Sequence, residues 1–268
     1  MTAIPSLHGA LAQMGRAALR WFAGWWQIVH LGAAILVLAL SPSSYDRAQR
    51  SAMARHVYLG TAPTLPWFTV LAALIGIVII RIVVVTAQSY GLSKYALEMV
   101  VRVLVLELIP LASAIFVALR CAIPNAAEIA GMRTRGGFAA LARGGTGSLR
   151  EEVLPRVAAS LFSVLMLALV ACAVTLLLAY FSVHGPEAGA FASYTRTVGR
   201  VFGPSVALIF ALKTVLFGIA VGLIPIATVL FGSAQHESSP VSPELQGLVR
   251  TFMVILLIEI ASLIGNYY

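Results

Sequence analysis

The 268-residue chain is 60% hydrophobic and 10% charged, with a mean hydropathy of +0.95. Soluble domains carry roughly 25% charged and 45–50% apolar residues. A water-soluble enzyme and a disordered chain are therefore both excluded, and what remains is an all-α integral membrane protein. The net charge of +8 takes its meaning from the loops that hold it. Cys121 and Cys172 both fall in apolar segments and give neither a disulfide framework nor metal-ligand spacing.

Met1–Gly15 lacks the pattern of a cleavable signal, a basic region before a short apolar core and a small-residue cleavage site. From His8 the chain reads as a basic amphipathic stretch with Arg16 and Arg20, leading into the apolar run Trp25–Leu40. That run is 16 residues long and contains Gln27 and His30. It is short for a span, and Trp21, Trp25 and Trp26 suit the headgroup level. Residues 1–45 are thus expected to form an interfacial helix region, with a full span as the alternative.

Residues 46–268 hold five longer apolar segments: Thr64–Ala87, Ala96–Cys121, Val153–Phe181, Val201–Phe231 and Leu248–Ile264. The second contains Pro110, and the fourth contains Pro204 and Pro225 with Gly218 and Gly222 between them. Membrane helices tolerate such breakers where neighbouring protein or water satisfies the freed backbone groups. The expected architecture is an N-terminal interfacial helix followed by five transmembrane helices. Polar or turn-rich connections join them: Ser41–Pro63, Gln88–Tyr95, Asn125–Glu152, Ser182–Arg200 and Gly232–Gly247.

Orientation follows from Lys and Arg placement. With the N-terminus in the cytoplasm and an interfacial first helix, one side receives Arg16, Arg20, Arg47, Arg50, Arg55, Arg120, Arg133, Arg135, Arg143, Arg150, Arg156 and Arg250. The other receives Arg81, Lys94, Arg102, Arg196 and Arg200, while Lys213 lies inside a span. The larger group belongs on the cytoplasmic side by the positive-inside tendency. Most of the excess charge is then a topology signal, and no nucleic-acid partner is expected.

Recognisable reaction chemistry is missing. The stretch Arg143-Gly-Gly-Thr-Gly-Ser148 lacks the lysine of a phosphate-binding loop and follows no strand pattern. Asp46 is the only aspartate, the five histidines are scattered, and no nucleophile–base pair or cofactor motif can be named. The informative residues are the ionisable groups in or beside spans, each costing on the order of 2.5–3.5 kcal/mol in hydrocarbon, so each is expected to face protein or a water-filled cavity. Glu98 and Arg102, spaced i, i+4, suit an ion pair near the outer interface. Glu107 lies deeper, three residues before Pro110. Lys213 has three options: Glu107, Glu259 or snorkelling to the surface. The basic connection Asn125–Glu152 suits either topology and anionic lipid heads or the docking of a cytoplasmic subunit.

Residue order in this region resembles a known family. Glu107-Leu-Ile-Pro-Leu-Ala-Ser-Ala-Ile-Phe-Val-Ala-Leu-Arg120, then Ala126-Ala-Glu-Ile-Ala-Gly-Met132, is similar to the MlaE (YrbE) family of ABC-transporter permeases. That family carries Arg-Glu-Leu-Gly-Pro, an Ala-Gly-Arg turn and Ala-Glu-Leu-Gly-Thr-Met. Without a gap, Glu107, Pro110, Arg120, Ala127, Glu128 and Met132 fall on matching positions. Leu149-Arg150, Leu154-Pro155-Arg156-Val157 and Leu212-Lys213-Thr-Val-Leu-Phe217-Gly218 continue the register over residues 60–266. The chain departs from the pattern at Leu106, where the family has arginine, and at Ile109, where it has glycine. The family's acidic coupling-helix stretch becomes Arg135-Gly-Gly-Phe-Ala-Ala-Leu141, and its two glycines disfavour helix by about 1 kcal/mol each relative to alanine.

The resemblance implies a homodimeric permease without its own ATPase, in the inner membrane of a double-membraned bacterium. Its partners would be a cytoplasmic ABC ATPase and a periplasmic Mce-domain protein, and its cargo phospholipid or a related hydrophobic molecule. Glu98, Arg102, Glu107 and Lys213 would then line the substrate cavity, with Lys94 and Arg81 as further headgroup candidates. Arg120, Glu128, Met132, Arg133, Arg135 and Leu141, in the coupling loop 125–152, would address the ATPase. A non-transporting membrane scaffold is the competing expectation, and an intramembrane enzyme the weakest.

Overall fold

The computed structural model describes residues 7–41, 46–92, 95–136, 147–185, 188–232 and 243–267. Every element among them is helical. Six helical stretches are long and apolar enough to cross a membrane: Trp21–Leu40, Gln49–Ser89, Ala96–Thr134, Leu149–His184, Pro204–Phe231 and Leu245–Asn266. The first belongs to α1 (Leu7–Leu40). Its 16-residue apolar run therefore sits in a helix of 34 residues, and shortness alone no longer separates it from a span.

Three of the expected connections, Ser41–Pro63, Asn125–Glu152 and Ser182–Arg200, are themselves largely helical among the described residues. α2 (Arg47–Thr61) precedes α3 (Leu65–Ser89). Pro66 stands in the first turn of α3, where its missing N–H is no loss. The Asn125–Glu152 connection is shorter than expected because its first part continues the preceding span. α4 (Ala96–Met99), α5 (Ile109–Val117) and α6 (Ile123–Thr134) form one rod, joined by π-helical turns at Val100–Leu108 and Ala118–Ala122. A third π turn, Leu149–Val153, leads into α7 (Leu154–His184).

Each π turn ends one residue before a proline pair: Ile109-Pro110, Ile123-Pro124 and Leu154-Pro155. Proline cannot donate to the carbonyl four residues back, and its ring clashes with it. Widening the turn moves bonding to i→i−5, as in Ile109 N–H to Leu104 O and Ile123 N–H to Ala118 O. The rod thereby passes two prolines without breaking. α6 stops at the glycines that disfavour helix: Arg135 closes it and Gly136 takes φ +81°, the left-handed conformation glycine tolerates.

α8 (Phe191–Val201) is a short amphipathic helix before α9 (Pro204–Gly232) and α10 (Pro243–Tyr267). Its buried Tyr194 donates to Leu176 O at 2.7 Å, tying it to α7. α7 and α9 approach closely through Gly218 and Gly222, a small-xxx-small pair. A Cβ at Gly222 would lie 3.1 Å from Val157 Cα, and one at Gly218 2.6 Å from Leu161 Cδ1. α2 and α3 run parallel to α7, with Thr61 Oγ1 meeting Ser163 Oγ at 2.7 Å and Gly76 facing Thr175. The rod runs antiparallel to α7, as the contacts Cys172 Sγ to Val105 O and Arg156 to Glu128 require.

The buried residues divide into a large core among α3, the rod, α7, α9 and α10, and a smaller one at the end of the bundle where α6 lies. α1 contributes Ile28, Leu31 and Ile35 to the smaller core. There it packs with Ala126 and Ile129, the 149–157 stretch and the 220–230 stretch of α9.

Candidate functional site: a buried ion network and an open groove

Inside the span bundle, Lys213 of α9 is the centre of a polar network. Its side chain is 1% exposed, and its ammonium pairs with Glu107 of the rod and, at 3.3 Å, with Glu259 Oε2 of α10. Glu107 also accepts from Asn266 Nδ2 at 3.1 Å. The alternatives left open by the sequence are resolved: Lys213 uses both carboxylates and does not snorkel. The carboxylates are 12% and 11% exposed, so all three charges sit in a medium where an uncompensated one is expensive. Glu259, Ser262 and Asn266 recur at i, i+3 and i+7 on α10, directly after its apolar run Phe252–Ile258. Ser262 Oγ and Asn266 Oδ1 find no hydrogen-bond partner among the described residues. That stripe was the sequence signal for Asn266 and Ser262, which the motif-based reading missed.

Nearer the end of the bundle that holds α8, Glu98 and Arg102 form the anticipated i, i+4 ion pair, with Oε1–Nη2 at 3.0 Å. Both side chains are about one-third exposed, and the pair makes no contact with Lys213. Arg102 and Glu107 are five residues apart within the π turn, where hydrogen bonds run i to i+5, so the backbone stacks them on a common face. Arg81 is exposed on α3. Lys94 lies outside the described residues.

At the opposite end, α6 borders an open depression of about 610 Å3, lined by Pro124, Ala127, Glu128, Gly131, Met132, Arg135 and Arg156. The first six recur at i, i+3, i+4, i+7, i+8 and i+11, so one whole face of α6 forms its wall. Arg156, from the first turn of α7, has a side chain only 8% exposed. It donates to Glu152 Oε2 at 2.6 Å, to Glu152 O at 2.7 Å and to Glu128 Oε2 at 3.2 Å. Its Nε has no partner among the described residues. Glu128, by contrast, is 63% exposed and presents most of its carboxylate to the depression. Arg133 points away and donates to Val229 O at 2.7 Å, fastening α6 to α9. Arg120 is exposed on the second π turn, apart from this depression. Leu141 and Arg143 lie outside the described residues.

Neither constellation resembles a reaction centre. Lys213 is ion-paired with two carboxylates, Arg156 with two more, and no group of three or more His, Cys, Asp or Glu among the described residues could hold a metal ion. What the arrangement does offer is an internally charged, externally apolar bundle with a wide groove at one end. A family model for the permease MlaE matches residues 53–264. The chain belongs to the MlaE permease family. As an MlaE-family permease it is a multi-pass membrane protein and the transport subunit of an ABC system, which works with ATPase subunits and is not itself an enzyme. No curated protein matches the chain. The matched span contains the charged groups of both constellations and leaves the whole of α1, and Asn266, outside it.

Proposed function

We propose that this MlaE-family permease forms a homodimer in the inner membrane of a double-membraned bacterium and moves phospholipid, or a related hydrophobic molecule, between the inner and outer membranes. A cytoplasmic ABC ATPase docks in the α6 depression, and a periplasmic Mce-domain protein receives or supplies the lipid. The observation that carries this reading is that depression. Glu128, Met132 and Arg135, three residues anticipated for coupling, share one open wall backed by the buried Arg156. An open helix face, tied to the buried Arg156 through the partly solvated Glu128, offers a shaped seat for another subunit. Arg133, fixed to Val229 O, positions that wall.

In this reading Glu107 and Lys213 hold the interior together, and Glu98 with Arg102 sits where a lipid headgroup meets it. An anionic phosphate competes for Arg102 because the existing pair is partly solvated and correspondingly weak. The apolar lipid-facing surfaces of α3 and α10 suit acyl chains.

The competing scaffold reading draws on one observation, the absence of acidic residues from Arg135-Gly-Gly-Phe-Ala-Ala-Leu141. Purification of the intact complex in mild detergent separates the two. Transport predicts a co-purifying ATPase whose hydrolysis is lost with Met132→Glu, which replaces an apolar side chain of the α6 wall by a charge. Retention of ATPase binding and hydrolysis in M132E would refute the docking assignment. Stoichiometric ATPase with no bound lipid and no hydrolysis in the wild-type complex would favour the scaffold.

A further inference from the structure

A second groove lies on the outer surface of the bundle, between α3 and the rod, lined by neighbours of Glu107 in the sequence but not by Glu107 itself. Its volume is about 270 Å3, and its lining is apolar throughout, from Leu104 through Ala112 and Phe116 to Leu119 on the rod, and from Ile75 to Phe68 on α3. The groove exists for structural reasons. Small residues, Ala72 and Ala112, line its two walls, and the π turn Val100–Leu108 shifts Leu104 and Leu108 out of α-helical register. Its ends differ. The Leu104 end lies in the middle of the bundle, level with Cys172, whose Sγ reaches Val105 O. Toward the Leu119 end, Phe116 and Phe68 close the groove with ring centroids 5.0 Å apart.

Arg120 follows Leu119 directly and Phe116 by one turn, so it sits on the groove's face just beyond that end. Its side chain is exposed, and no ion pair to it is formed among the described residues. Exposed Trp67 and Tyr58 lie on the adjoining ends of α3 and α2, as aromatic side chains do at the headgroup level. Cys121 Sγ contacts Gly60 O at 3.4 Å and sets Arg120 at the height of the α2–α3 turn.

We infer that this groove with Arg120 is a binding site for one glycerophospholipid of the leaflet on the α6 side: acyl chain along α3 and the rod, phosphate on Arg120. The dimensions fit. Leu104 to Leu119 spans roughly 22 Å of helix at 1.5 Å per residue, enough to pass the roughly 15 Å of half a hydrocarbon core and reach the headgroup layer. A 150 Å3 apolar cavity takes one benzene, so 270 Å3 takes roughly ten chain carbons. A lone guanidinium at the rim of hydrocarbon favours an anionic phosphate, to which its fork of N–H donors bonds bidentately. The site needs neither the ATPase nor the transport cycle and is separate from the Glu107–Lys213 network.

The test uses the whole protein in vesicles doped with a phosphatidylglycerol carrying a mid-chain diazirine, with adducts mapped by peptide mass spectrometry. Adducts should concentrate on Leu104–Leu119 and exceed those on Leu256, Leu257 and Ile260 of α10, although these three are more exposed. Arg120→Gln, at an exposed position where folding is not at stake, should lower groove adducts roughly fivefold, the occupancy equivalent of one basic contact to an anionic lipid. The α10 adducts should not change. Ala112→Phe, which fills the groove, should lower them further, and a diazirine diacylglycerol lacking phosphate should label the groove of the wild type as weakly as phosphatidylglycerol labels R120Q. Equal labelling of groove and α10, or groove labelling indifferent to R120Q and to the missing phosphate, would mean ordinary annular lipid and overturn the site.

Discussion

Replacing Lys213 by methionine removes the ammonium at the centre of the intramembrane network while keeping the length of its apolar stem. Glu107 is left with Asn266 Nδ2 as a donor at 3.1 Å, and Glu259 loses the cation that stood 3.3 Å away. With the lysine 1% exposed and the carboxylates 12% and 11%, water cannot take its place. Breaking a buried pair by deleting one partner costs about 3–5 kcal/mol. At about 2–4 °C per kcal/mol for domains of 150–250 residues, Tm falls by roughly 6–20 °C. The triple variant K213M/E107Q/E259Q deletes every formal charge in the network. Neutral replacement of a buried ion network is often no worse than the network itself, so most of the lost stability returns. The assay is thermal unfolding of all variants in the same detergent or nanodisc, followed by tryptophan fluorescence. Wild-type Tm in K213M, or a triple variant as unstable as the single one, would refute the reasoning.

Two further predictions concern packing and pH. Gly222→Leu forces a side chain into a space where its Cβ alone meets Val157 Cα and O at 3.1 Å. Overpacking of this kind costs about 1–3 kcal/mol, and a lowered Tm with weakened α7–α9 cysteine crosslinking reports it. Tyr194, whose phenol burial pushes up to about 12, stays neutral in the folded protein above the pH at which the unfolded chain ionises. Its contribution is therefore complete below about pH 10 and is lost between about pH 10 and 12. Tyr194→Phe should abolish that part of the alkaline loss, measured as unfolding midpoint against pH, at a cost of about 1 kcal/mol for the hydrogen bond to Leu176 O.

The spans were legible because about 20 apolar residues in a row admit few other readings. Their ends were less so. The Ala96 span was expected to stop at Cys121, yet it continues to Thr134, because π turns let the helix absorb Pro110 and Pro124 where the sequence shows only breakers. α2 was invisible as a helix: its residues are polar, and what holds it is tertiary, namely Gln49 bonding Arg150 O and Thr61 meeting Ser163. At the network, Glu107 and Lys213 stood out by residue type, since charge is rare in an apolar chain. Their actual partners depended on how three helices rotate about their axes, which sequence spacing on each helix does not fix. The α6 wall was readable in part, because its spacing is helical. The role of Arg156 behind it came only from the antiparallel docking of α7 on the rod.

α1 poses the sharpest conflict between composition and packing. Its length and hydropathy meet the requirement for a crossing helix. A helix crossing beside α9 would meet α9 along its length, from Pro204 to Gly232. The α1 core residues instead pack with α9 only at 220–230, together with 126–129 and 149–157, all at one end of the bundle. Along α1 the level hardly changes: Gly24 lies against the Arg250 guanidinium and Gly32 against Leu223, and α10 at Gly247 packs on Pro225. Eight residues of α1 advance about 12 Å from one helix to the next without moving down the bundle. We propose on this ground that α1 lies across that end. Charge placement points the same way. With α1 in the interface, Arg16 and Arg20 share a side with Arg50, Arg55, Arg133, Arg135, Arg150 and Arg250, as the positive-inside tendency favours. A crossing α1 would set the first two against all the rest. In that proposal five crossing helices and a surface-lying α1 satisfy packing and charge together, and the exposed Trp21, Phe22 and Trp26 would hold α1 in the headgroup layer.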